Sequence, residues 1–89
     1  MFTRDCVAEF TAKMEDGLLE KAEEHGEYGW LGDNCSVDYL KNKLAHQVTR
    51  LKLAVLDCQP ERAEKACINI ANFAMMISDR LSFPGGHPE

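Results

Sequence analysis

Several features are scarce or missing in this 89-residue chain, and each absence narrows what it can be. There are only three prolines and no low-complexity tract, which argues against disorder away from the ends. No apolar run reaches the roughly 18 residues of a membrane span. Arg4, Asp5 and Glu9 interrupt the start, so the N-terminus does not read as a secretory signal and a cytoplasmic protein is expected. The four cysteines, Cys6, Cys35, Cys58 and Cys67, include no C-x-x-C pair, and free thiols are the expected state. Cys35 and Cys58 flank a helix expected to be about 30 Å long, too far apart for a bond within the chain. The glycines at 26, 29 and 32 follow no strand and make no phosphate-binding fingerprint. There is no internal repeat.

What is present is charge, unevenly spread. The net charge is −5. Residues 1–29 carry three basic and eight acidic side chains, a net of −5, whereas residues 36–57 carry four basic and two acidic, a net of +2. That balance disfavours direct nucleic-acid binding but leaves the second segment able to face an anion.

Hydrophobic periodicity predicts an all-α fold of three long helices. In the first, from about Thr3 to His25, Val7, Phe10, Met14, Leu18 and Ala22 recur at helical steps, and Gly17 weakens the helix without ending it. Ser36 is suited to cap the second, whose stripe is Val37, Leu40, Leu44, Val48, Leu51 and Val55. Pro60 suits the first turn of the third, which ends near Leu81 or Ser82. Residues 1–83 are expected to be one domain and residues 84–89 a flexible tail. Short connections between long helices favour an antiparallel bundle. The third helix is apolar nearly all round from Ala66 to Ile77, so the bundle is expected to be completed by self-association, as a dimer or higher homo-oligomer.

Two asparagines, Asn69 and Asn72, interrupt that apolar stretch. A buried amide needs partners, and His46, Gln47 and Arg50 lie within about one turn on the second helix. With Met76, the asparagines share a helical face, so a polar layer between the two helices is expected. Its plainest role is to fix register.

The segments "YGW", "YLKNKLAHQVTRLKLAV" and "INIANFAMMISDRL" resemble the MazG-like all-α nucleoside triphosphate pyrophosphohydrolases, particularly short phage and prophage-type members. The likeness spans roughly residues 10 to 82, and "ANFAMMI" is its most specific piece. It implies a helical oligomer that cleaves nucleotides between the α and β phosphates with Mg²⁺. The family carries Glu-Glu-x-x-Glu on the second helix and Glu-x-x-Asp on the third. The matching positions here are His46, Gln47 and Arg50, then Ala66 and Asn69, so every acidic ligand is replaced. Asn72 matches an asparagine of the family pattern. Mg²⁺ prefers oxygen ligands, above all carboxylates, so the resemblance implies a degenerate enzyme with no metal and no cofactor.

The remaining candidates are weaker. His25 and His87 have no preorganised partner, His46 with amides makes no zinc site, and a mixed Cys6/Cys58 site at one bundle end is a remote option. Cys67 reads as core, as do Met14, Met75 and Met76. Residual hydrolysis by Asp79 or Glu64 is disfavoured, because Asp79 lies about 15 Å along the helix from Asn69.

Two functions are therefore expected, in order. The first is a non-catalytic interaction protein that binds a protein partner stoichiometrically, with an anti-defence or regulatory role among the options. Its acidic face would be Glu9, Asp16, Glu20, Glu23, Glu24 and Glu27, although such a run is more often a solvated surface. The second is a metal-independent nucleotide or nucleotide-signal binder. Arg50 would hold phosphate, Gln47, Asn69 and Asn72 would read polar edges, and Tyr28 or Trp30 would stack on a base.

Overall fold

The computed structural model describes residues 4–25 and 36–83, with the side chains of residues 23–25 left aside. These residues form three helices, α1 (Asp5–His25), α2 (Val37–Leu56) and α3 (Pro60–Ser82). Among the described residues there is no strand. No helix among them is long and apolar enough to cross a membrane.

Local chemistry sets the helix ends. Ser36 caps α2, its hydroxyl accepting a hydrogen bond from the Tyr39 backbone N–H at 3.1 Å. α2 stops in a two-bond turn: the N–H of Cys58 donates to the Val55 carbonyl at 3.2 Å and that of Gln59 to Ala54 at 2.8 Å. This is a Schellman-type ending, whose residue after the cap adopts a left-handed conformation and is usually glycine. Here Cys58 occupies it, with φ 55°. Pro60 then starts α3, where a missing N–H costs nothing.

The short turn folds α2 back against α3, and the two pack along much of their length. Gln47 and Asn69 lie equally far from the turn and share a hydrogen bond, so the pair is antiparallel. α1 lies against α3 over a shorter stretch and makes no close backbone approach to α2.

The α2 face follows the expected stripe except at its end: Leu40 is buried, Val37, Leu44, Val48 and Leu51 are half-buried, and only Val55 departs. Leu40, Gln47 and Ala54, spaced by seven, point inward or half-inward; Leu40 is 2% exposed and Ala54 is buried. Val55 is turned out to solvent. Small residues explain that substitution of Ala54 for Val55, because Ala54 and Ala66 are both buried and both line the α2–α3 groove, where branched Val55 would hold the helices apart. On α1, Val7 is likewise exposed, whereas Phe10, Met14, Leu18 and Ala22 are half-buried. Gly17, read as a weak point in α1, has a positive reason to be glycine. A Cβ there would sit 3.3 Å from Asn72 Nδ2 and 3.6 Å from Ile68 Cγ2, so α1 approaches α3 where it has no side chain.

Candidate functional site

Gln47, Arg50, Leu53, Ala54 and Asp57 from α2 face Arg62, Lys65, Ala66 and Asn69 from α3 across an open groove of about 450 Å³. Four of the six positions singled out in the sequence thus meet in one place: Gln47, Arg50, Ala66 and Asn69. The Asn69 side-chain amide donates to Gln47 Oε1 at 3.3 Å, so a polar bridge does join the two helices. The antiparallel register puts these residues level, and the small Ala54 and Ala66 leave the space between them.

The other two positions lie elsewhere. His46 is exposed and does not line the groove. Asn72 is only 6% exposed and turns toward α1 instead of α2, its Nδ2 donating to the Met14 carbonyl at 3.2 Å. The expectation that Asn72 would bond to α2 and share one polar layer with Asn69 is therefore corrected. Three residues along a helix leave two side chains about 60° apart around the axis, enough for two adjacent elements to claim one asparagine each. Asn72 Oδ1 is buried and accepts no hydrogen bond from the described residues.

Sequence reasoning missed Arg62, Lys65 and Asp57. Arg62 and Lys65 stand one turn apart at the start of α3 and share a face. Being basic residues near a helix start, where the dipole favours acids, they carried a signal that went unread. Arg50, Arg62 and Lys65 are exposed, and among the described residues none is in an ion pair. Ion pairs elsewhere include Lys13–Glu64, between α1 and α3, and Lys41–Asp38 within α2. The Glu64 hydrogen bond and charge raise the pKa of the half-exposed Lys13 above its ordinary value.

This donor set does not fit Mg²⁺. The hard dication needs several oxygen ligands, preferably carboxylates, and the groove offers one carboxylate, Asp57, against Arg50, Arg62 and Lys65. Among the described residues no three His, Cys, Asp or Glu side chains gather into a possible metal site. Cys6 and Cys58 are both exposed free thiols, and Cys67 is half-buried. Tyr28, Trp30, Glu27, Cys35 and His87 lie outside the described residues, as do the side chains of Glu23, Glu24 and His25. Glu9, Asp16 and Glu20 are exposed on α1.

No family model, no curated protein and no solved structure matches this chain.

Proposed function

We propose that this chain is a non-catalytic binding protein that works by stoichiometric association with protein, a second copy of itself first. The carrying observation is its inverted distribution of apolar side chains. Among the described residues only Leu40, Ala54 and Ala66 are buried hydrophobics, while Leu19, Leu53, Val55, Leu56 and Leu81 are exposed, Leu56 at 77%. Between Ala66 and Ile77 on α3 most side chains are only half-buried. A domain this small has little stability to spare, and covering such surface is worth roughly 25 cal/mol per Å². Light scattering on the purified chain is expected to give a dimer or larger species. A monomer at every concentration, folded by circular dichroism, removes the self-association. Turnover of nucleoside triphosphates in Mg²⁺ at an enzymatic rate removes the non-catalytic reading.

A second reading, metal-free nucleotide binding, is favoured by a different observation: Arg50, Gln47 and Asn69 line the same groove. Calorimetry with nucleotides in a chelator is expected to show binding that Arg50→Ala abolishes. Silence with the parent protein removes this reading.

A further inference from the structure

We propose that the groove seats the phosphate chain of its ligand between cations from both helices, Arg50 on α2 and the Arg62–Lys65 pair on α3, so that protein charge does the work of a divalent metal. This rests on the nucleotide reading and names the ligand class: a compound bearing at least two linked phosphoryl groups, such as a nucleoside diphosphate.

Charge supports it first. Arg50, Arg62 and Lys65 against Asp57 leave the lining with a net of two positive charges, whereas the whole chain is −5. Three cations facing one space repel one another, Asp57 offsets only part of this, and none of them is in an ion pair among the described residues. A polyanion relieves that repulsion, and a single phosphate monoester would leave part of it in place.

Side-chain chemistry and placement agree. The guanidinium forks of Arg50 and Arg62 can each pair two phosphate oxygens, while Lys65 adds a point charge one turn along α3. The N-terminus of α3 lies at this end, and Gln59 supplies no side-chain cap to it. Its dipole therefore adds to the positive field there. Deeper in the groove, Gln47 uses Oε1 to accept from Asn69. Its Nε2 and the Asn69 Oδ1 then remain to meet, respectively, an acceptor and a donor on the ligand's non-phosphate part. The volume of about 450 Å³ falls within the span of roughly 300–1,000 Å³ usual for small-molecule sites.

Calorimetry on the full chain in a chelating buffer tests this with pyrophosphate, adenosine diphosphate and adenosine. Binding is expected for the two phosphate compounds and not for adenosine, and it should weaken as salt is raised. The double variant Arg62→Ala/Lys65→Ala is expected to lose about tenfold or more in affinity. Asp57→Asn should bind about threefold tighter, and Lys43→Ala, outside the groove, should match the parent. Circular dichroism confirms each fold, which these exposed positions should leave intact. If Arg50→Ala abolishes binding while the double variant matches the parent, the α3 seat is wrong and the nucleotide reading stands. If no phosphate compound binds the parent, both fall. Binding that requires Mg²⁺, or that Lys43→Ala weakens equally, also overturns the seat.

Discussion

The two sides of α3 are held in different ways. Toward α2 it meets a helix along much of its length, over Ala54 and Ala66, with the Gln47–Asn69 bridge beside a tight turn. Toward α1 the contact is shorter and centres on Gly17, where Asn72 reaches the Met14 carbonyl, with the Lys13–Glu64 pair at the rim. The first side uses small residues to bring backbones close and tolerates an open groove. The second concentrates its specificity in one buried amide. α1 is therefore the less anchored unit, and its amides should exchange with solvent faster than those of α2 and α3.

The sharpest way to break this contrast is to charge the amide. Asn72→Asp buries a carboxylate against a carbonyl and should cost about 4 kcal/mol, read by denaturant unfolding, with α1 the first segment to lose exchange protection. Equal loss across all three helices would show that the two sides are not separable. On the hairpin, Leu40→Ala should cost about 3 kcal/mol, as Leu40 is the most deeply buried large side chain among the described residues. Here all segments should weaken together. Next is a gain. Cys58→Gly removes the penalty of a left-handed non-glycine residue and should raise stability by about 1 kcal/mol, sharpening the hairpin's lead. The smallest effect concerns Lys13. Because Glu64 raises its pKa, its contribution is fully present below the ordinary lysine value of 10.5 and is lost as pH rises through the elevated one. Unfolding curves of the parent and Lys13→Met should therefore converge at strongly alkaline pH.

Much of the architecture was legible because helix punctuation is local. Ser36 and Pro60 mark starts by chemistry that needs no tertiary partner. The stripe of α2 was legible too, save in its last turn, since Val55 fits it as well as Ala54 does and only close approach to α3 decides between them. For the candidate site, meeting positions on two helices followed from antiparallel packing, which placed Gln47, Arg50, Ala66 and Asn69 together. Spacing alone could not assign Asn72 to α1, because that depends on which side the third helix docks. Arg62 and Lys65 went unread because isolated surface cations look alike until a facing helix turns them into a wall.

The bare backbone at Gly17 also makes a dial. Each atom added there pushes against an amide that is already committed to Met14, so a series from alanine through serine to valine would pry the first helix off in graded steps. What it uncovers is the flank of α3, so a single codon sets how much apolar surface the chain shows to water.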